Sequence, residues 1–478
     1  MSSIYLTDRS SLFDRLYSIA PVWLQNVGIS VYGILWRQQR FGGNFPKLVA
    51  QFQERERFSF NEWREYQTRQ LQALLQHANR TIRYYRELFN SLGLQSRSLE
   101  YFTPEDLPNL PLLEKETIRS NPDKFLNQEV DRRRLLIDYT SGTTGTPLPV
   151  LRSTLTNRAT SAAYEARIRR WAGVNYRMSR AMIGGRIVIP PTRAKPPFWR
   201  YNLAERQLYL SAFHISPANT SNYVAALNFF RPKYLVGYAS AHYFLARNAE
   251  EQGLQLYRPQ AILTSSDKLT PEMRQLLQRV YGCQVFDGYS GVENCCLASE
   301  CEHHRMHLSP DVGIVELVDS DGRPTPPGEM GEIVATGLLN FDQPLIRYRT
   351  GDYAILSPEP CPCGRQMPVL EELVGRLEDI VIGQDGREVI RFQGIFLGLP
   401  NVREAQIIQK TLKYFQVRLV VNAGFSEDEK RILYQRFVER LGPINLEFQL
   451  VDQIERTERG KFRAVVSHVP RAQRTSCT

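Results

Sequence analysis

No uncharged apolar run in this chain reaches the roughly 18 to 20 residues that a membrane-spanning helix needs. The nearest approach, Ile19 to Trp36, is broken by Gln25 and Asn26 and carries aromatics along its length. A helix of that kind either packs on its own domain or lies on a membrane surface. Signal-peptide character is missing too, since Asp8, Arg9, Asp14 and Arg15 put charge into the first residues,. The expected location is therefore the cytoplasm, with no transmembrane segment and at most a peripheral association with the inner membrane surface. Cysteine is scarce, seven in 478 residues, and five of the seven lie between Cys295 and Cys363. An odd, clustered set argues against a disulfide framework and for a metal site. Internal repeats and low-complexity tracts are absent.

Concentrated charge is also lacking. The net charge is +10, but basic residues recur from Arg37 to Arg474 with only short clusters such as Arg132-Arg133-Arg134. Without a basic stripe interleaved with aromatics, nucleic acid is not an expected partner; diffuse positive charge suits a small anionic substrate or an anionic surface. With 42% hydrophobic and 23% charged residues the composition is that of a soluble globular protein,. The length exceeds what a single core supports and predicts two or three domains.

What the sequence does have is a loop. Tyr139-Thr140-Ser141-Gly142-Thr143-Thr144-Gly145-Thr146-Pro147 lies between the apolar runs Leu135-Leu136-Ile137 and Leu148 to Leu151, which predicts a strand, a hydroxyl-rich loop and a second strand. Glycines let backbone N–H groups turn inward and the hydroxyls add donors, so the loop can wrap polyphosphate oxygens. It is not a Walker loop, because its glycines are too close together and no lysine follows.

Ser59-Phe60-Asn61-Glu62 has capping-box spacing, and Leu71, Leu74, Leu75 and Ala78 follow at helical period, predicting one long helix towards Leu88,. From Lys233 the pattern alternates. Tyr234 to Tyr238 reads as a buried strand and Ala241 to Glu251 as a helix. Ala261-Ile262-Leu263 is a second strand, Thr270-Pro271 starts a helix to about Tyr281, and Gln284-Val285-Phe286 is a third strand,. Such alternation implies a parallel sheet with its ligand beyond the carboxyl ends of the strands, where Gly237-Tyr238, Thr264 to Asp267 and Asp287 to Glu293 would converge. Beyond Asp311 short alternating segments predict a small β-rich subdomain. A further domain of mixed strands and helices starts near Glu378.

Five stretches then stand in a fixed order: Thr140 to Gly145, Tyr289-Ser290-Gly291-Val292-Glu293, Tyr348-Arg349-Thr350-Gly351-Asp352, Gly375-Arg376, and Arg456 to Lys461. Over nearly the whole chain this order resembles the adenylate-forming superfamily, within it the phenylacetate–CoA ligase branch, and especially its relatives encoded with capsule and exopolysaccharide genes. The resemblance implies an α/β fold with a large N-terminal domain of parallel and mixed sheets, a β subdomain and a small mobile C-terminal α+β domain. Its boundaries would be 1–130 for a helical region packed on the core, 131–377 for the nucleotide-binding core and 378–478 for the mobile lid. By the same resemblance Thr140, Ser141, Gly142, Thr143, Thr144 and Gly145 would cradle the phosphates of ATP. Ser265, Ser266, Asp267, Asp287, Gly288 and Tyr289 would wall the adenine. Glu293 would hold magnesium, Asp352 would accept from the ribose hydroxyls with Arg376 beside it, and Lys461 would reach the α-phosphate and the substrate carboxylate. The sequence departs from the superfamily where Thr146 stands for a frequent lysine, and where Ser290 and Val292 occupy the second and fourth positions of the Tyr289 motif.

Cys301, His307, Cys361 and Cys363 make a set suited to structural zinc, with Cys295, Cys296, His303 and His304 as competing ligands,. His214 reads as a packing or capping histidine. The implied function is ATP-dependent activation of a carboxylic acid as an acyl-adenylate, followed by transfer to coenzyme A or to an amine or hydroxyl in a polysaccharide pathway. Adenylyl transfer to a substrate hydroxyl, and a nucleotide-binding protein with decayed chemistry, are the alternatives.

Overall fold

Short runs of apolar and β-branched residues become the buried strands of one sheet. The computed structural model describes residues 17, 19–140, 148–184, 186, 189, 195–376, 381–383, 388–389, 395–396, 399, 401–457 and 462–469. These fall into two compact units, one within Met1–Thr350 and Ala354–Leu373, the other within Gly351–Tyr353 and Val374–Thr478.

An antiparallel hairpin, β1 (Leu136–Tyr139) and β2 (Pro149–Arg152), carries the Ser/Thr/Gly loop. The strands that follow are β3 (Arg180–Gly184), β4 (Trp199–Asn202), β5 (Gln207–Ser211), β6 (Tyr234–Gly237), β7 (Ala261–Ser265) and β8 (Gln284–Ser290). Strands β5, β3, β6, β7 and β8 are mutually parallel in that order, with β4 antiparallel at the edge. Helices Ala239–Glu251 and Pro271–Tyr281 make the crossovers. The second starts as its sequence predicts: Thr270 Oγ1 accepts from Met273 N–H, Pro271 is its first residue, and Gly282 ends it with φ +64°,.

The sheet does not stop at β8. Strands β9 (Leu297–Glu300), β10 (Met306–Leu308), β11 (Gly313–Val318), β12 (Met330–Gly337), β13 (Tyr348–Leu356) and β14 (Val369–Arg376) extend it to twelve strands in the order β11-β12-β13-β14-β10-β9-β8-β7-β6-β3-β5-β4. The β-rich segment expected as a subdomain is thus hydrogen-bonded into the main sheet, because β9 pairs antiparallel with β8 and the β9–β10 hairpin passes the register on to β14.

The expected capping box is present: Ser59 Oγ accepts from Glu62 N–H while Glu62 accepts from Ser59 N–H. The single long helix is not. One helix ends at Thr81, Ile82 is extended (φ −110°, ψ 114°), and a second runs Arg83–Ser91. The Thr81 hydroxyl bonds back to His77 O, and the break turns Ile82 and Tyr85 into the core,. There Tyr85 Oη donates to Pro344 O (3.0 Å) and accepts from Ile346 N–H (3.1 Å). The N-terminal helices so share a core with Cys295, Cys296 and Tyr348.

In the second unit, β15 (Val381–Ile382) pairs with β16 (Glu388–Val389), and β17 (Val402–Gln409), β18 (Tyr414–Val421), β19 (Asn445–Leu450) and β20 (Val465–Ser467) form a sheet in the order β19-β18-β17-β20. Helix Glu427–Leu441, capped by Ser426 and Glu429, places Leu433 and Phe437 in a core with Ile407, Phe415, Val417 and Leu419.

In the first unit, helix Thr154–Tyr164 runs into a π-helical turn, Glu165–Arg169. The turn buries two arginines. Arg167 Nη1 donates to Phe52 O and Glu56 Oε1 (2.7 Å each) and its Nη2 to Asp311 Oδ2 (3.0 Å), which also accepts from Arg55 Nε (2.9 Å). Arg169 pairs with Glu165 (3.1 Å). Arg167 and Asp311 are wholly buried, so removing one partner strands a charge in low dielectric, whereas replacing both with apolar residues need not. Asp311→Asn should therefore destabilise the first unit by about 3 to 5 kcal/mol in urea unfolding, and Arg167→Met with Asp311→Leu by less than the single change.

Candidate active site

The carboxyl ends of the parallel strands carry the loops singled out from the sequence, and their backbone is unusual there. Gly237, ending β6, has φ +138°, and a Cβ on it would lie 1.8 Å from Ile183 O, so no other residue fits,. Ser266 (φ +74°) and Asn294 (φ +54°) take left-handed conformations just past β7 and β8, a strain that proteins concentrate at functional sites.

The loop between β1 and β2 springs from a fixed base. Thr140 is buried; its N–H donates to Leu148 O and its Oγ1 accepts from Leu148 N–H, both at 3.0 Å. Asp138 pairs with Arg152 across the hairpin in the interior. Asn340 Nδ2 donates to Leu151 O (3.0 Å), Gln343 Oε1 accepts from Leu151 N–H (2.8 Å), and Asp342 Oδ2 accepts from Ser153 N–H (2.7 Å). Ser141, Gly142, Thr143, Thr144 and Gly145 lie outside the described residues.

Of the predicted adenine wall, Ser265 ends β7 with Ser266 and Asp267 just after it, and Asp287, Gly288 and Tyr289 belong to the adjacent β8. Asp267 accepts from Ala239 N–H (2.6 Å) and Ser240 N–H (3.0 Å), closing the start of helix Ala239–Glu251 from the neighbouring loop,. Asp287 accepts from Thr264 Oγ1 (2.8 Å). Burial, and after it the nearby Glu300 carboxylate, push its pKa up to about 8. Glu300 itself is held by Arg274 and lies 3.4 Å from His304 Nδ1. Glu293 accepts from Tyr348 Oη at 3.1 Å, so the carboxylate proposed for magnesium is oriented by the first residue of the next motif.

In the second unit, Arg376 Nε lies 3.4 Å from Asp352 Oδ1. Lys461 lies outside the described residues, as does Glu378. The segment leading to Lys461 is anchored, however. Arg456 donates to both oxygens of Glu404 (2.9 and 2.8 Å), and its guanidinium sits 4.8 Å from the centre of the Phe462 ring.

Cys301, His307, Cys361 and Cys363 come together, each offering one ligand atom within 4.8 Å of the others. Cys301 follows β9, His307 lies in β10, and the other two lie between β13 and β14. Sγ of Cys301 and Cys361 are 3.6 Å apart, and Cys363 Sγ is 3.4 Å from His307 Nε2. Bonds of about 2.3 Å to sulfur and about 2.0 to 2.1 Å to nitrogen at tetrahedral angles require roughly 3.8 and 3.5 Å. His307 Nδ1 lies 3.3 Å from Met367 O, which fixes Nδ1 as the protonated nitrogen and leaves Nε2 for a metal; burial, the largest influence, lowers the imidazole pKa to about 4 and so keeps it neutral,. His303 touches the set through its backbone N–H, 3.4 Å from Cys301 Sγ, and the other three competing residues go elsewhere. Cys295 and Cys296 sit in the apolar core, and His304 contacts Glu300, Arg274 and Gln284. His214 is a packing residue, stacked on Phe198 (4.6 Å between centroids) with Nδ1 2.7 Å from Ser211 Oγ. The sequence reading missed Asn340 to Gln343 and the orienting role of Tyr348; the cluster of turn residues Asn340, Asp342 and Pro344 just before the Tyr348 motif was the available signal.

Residues 98–342 match the family model of AMP-binding enzymes, and residues 381–468 that of the CapK C-terminal domain. Protein CapK of Staphylococcus aureus is 24% identical over 465 residues, covering 96% of this chain and 100% of its own. Phenylacetate-coenzyme A ligase of Thermus thermophilus is 26% identical over 362 residues, 71% of this chain and 76% of its own. Among solved structures, 2-hydroxyisobutyryl-CoA ligase in its postadenylation state with R3-HIB-AMP has a TM-score of 0.68 at 20% identity, covering 88% of this chain and 92% of that one, a likeness of fold. Two family matches that follow one another along the chain, the first taking in half of it, identify this protein as a member of the AMP-binding, adenylate-forming superfamily with a CapK-type C-terminal domain.

Proposed function

We propose that this protein is an ATP-dependent ligase that activates a carboxylic acid as acyl-AMP and then transfers the acyl group to coenzyme A or a polysaccharide-pathway acceptor. The reading is carried by the Glu293–Tyr348 hydrogen bond, which joins two of the superfamily motifs at the carboxyl edge of the parallel strands. In the first step a carboxylate oxygen attacks the α-phosphorus, the α–β anhydride bond breaks, and pyrophosphate leaves with the electron pair. In the second the acceptor attacks the acyl carbon and AMP leaves. Thr140 would hold the base of the loop while Ser141 to Gly145 reach the phosphates. Asp352, steadied by Arg376, would accept from the ribose hydroxyls. Magnesium held by Glu293 would neutralise phosphate oxygens. The names of the phenylacetate-coenzyme A ligase relatives support coenzyme A as acceptor.

The Cys301, His307, Cys361 and Cys363 set is read as a closed structural zinc site, since three thiolates and an imidazole leave no open position for catalysis. Protein purified without chelator should contain about one zinc per chain by elemental analysis, and Cys361→Ser should lower both zinc content and melting temperature. Metal-free protein of unchanged melting temperature would overturn the assignment.

Lys461 supplies the test of the chemistry. A charge that stabilises only the developing pentavalent phosphorus should matter for rate and not for ATP affinity. Lys461→Ala should bind ATP normally yet lose acid-dependent exchange of pyrophosphate into ATP by about a hundred- to a thousandfold, measured with the best of a panel of aryl, fatty, amino and uronic acids. Wild-type protein that exchanges with no acid, but adenylylates a hydroxyl compound, would instead be an adenylyltransferase.

A further inference from the structure

Helix Val22–Phe41 is amphipathic in the wrong sense for water. Its polar residues face the protein: Gln25 Nε2 donates to Tyr17 O (2.6 Å), Asn26 Oδ1 accepts from Tyr201 N–H (3.0 Å) and Ser30 Oγ from Leu203 N–H (2.9 Å). Gly33 lies so close to Asn202 that a Cβ would come within 2.5 Å of its amide. The other face carries Trp23, Leu24, Val27, Val31, Ile34 and Leu35, all exposed, Trp23 by 66% and Leu35 by 63%. A surface helix ordinarily turns its apolar stripe to the core, and a contiguous apolar face of this kind marks a place where something docks.

The surrounding charge says what. From Ile19 to Gln53 there is no Asp or Glu, and from Arg180 to Ala249 the single acid is Glu205, which is buried and paired with Arg180 (2.9 Å). Both stretches meet at the β4 edge, where the helix packs. The exposed Arg37 donates to Ala204 O, the exposed Arg206 lies in the turn between β4 and β5 beside the exposed Leu203, and the exposed Phe229, Arg231 and Lys233 flank Phe230, whose ring stacks on Tyr201 of β4. A second copy docking by a two-fold axis would set this basic rim against itself, whereas anionic headgroups would neutralise it. An apolar stripe with a tryptophan at one end and cations around it fits the boundary between headgroups and acyl chains.

We infer that this face binds the surface of an anionic phospholipid bilayer, with the helix lying in the membrane plane. The test uses the full chain and co-sedimentation with vesicles. Wild-type protein should partition at least about tenfold more strongly into vesicles of phosphatidylglycerol and phosphatidylcholine in equal parts than into phosphatidylcholine alone, with binding weakening as salt rises above about 0.1 M. Val31→Asp with Leu35→Asp should abolish binding to both. Arg206→Gln with Lys233→Gln should remove only the anionic preference, so the outcome does not depend on one variant folding. Wild-type protein that ignores anionic vesicles, or aspartate variants that bind them as before, would overturn the inference. So would a dimer in sedimentation velocity that the aspartate pair dissociates in a protein without vesicle binding, which would give the face to a second copy.

Discussion

A two-stranded hairpin of four-residue strands cannot hold its own shape in water, yet β1 and β2 carry the loop on which the proposed chemistry depends. What fixes them is a single stretch, Asn340 to Tyr348. Its side chains take both backbone groups of Leu151 and the N–H of Ser153. Its own carbonyls accept from Asn127, Tyr85 and Leu113 and lie against His77. Arg347, in the left-handed region at φ +49°, drives its guanidinium inward onto Glu316 and the carbonyls of Pro108 and Leu110. The last residue of the stretch, Tyr348, orients Glu293. The N-terminal helices, the hairpin and the acidic residue of the proposed magnesium site are therefore positioned by one segment of main chain.

A division of labour within the sheet follows. The parallel half supplies loops at its carboxyl edge, among them Gly237, Ser266 and the Tyr289 motif. The antiparallel half supplies fixtures: the Asn340 stretch before β13, and the four-ligand cluster that joins the β9–β10 hairpin to the connection between β13 and β14. The two halves meet where β8 pairs with β9, at the root of the Tyr289 motif.

Much of this was legible in the sequence wherever the signal was local. Thr270-Pro271, Ser59 to Glu62 and the alternation from Tyr234 to Phe286 are short-range patterns; the first two start helices as expected and the third became the expected parallel strands and crossovers. The choice among neighbouring cysteines and histidines was not local: Cys301 and His307 lie within a hairpin whose register the sequence does not print, and their partners come from some sixty residues further on. The single twelve-stranded sheet was hidden for the same reason, since it rests on the pairing of β10 with β14. At Ile82 the helical periodicity was overridden by tertiary demand, the need to bring Tyr85 to Pro344 and Ile346. For the segment Ile19 to Trp36 the sequence left open whether the helix packs on its own domain or lies on a membrane surface, because the contacts that make the polar side of helix Val22–Phe41 the inner one come from residues as distant as Arg200, Tyr201, Asn202 and Leu203.

The π-helical turn Glu165–Arg169 has a consequence for how such chains diverge. A π-turn is an α-helix with one residue too many, and the surplus residue rotates everything after it by about 100 degrees. Here that rotation lets Arg167 reach Asp311 and Glu56 while Arg169 closes on Glu165. Losing one residue between Glu165 and Arg169 would restore an ordinary helix and swing one of the two arginines out of register. A relative that lacks this one residue should therefore also lack the acid at position 311, and an alignment that slides the gap into a nearby loop would conceal the link.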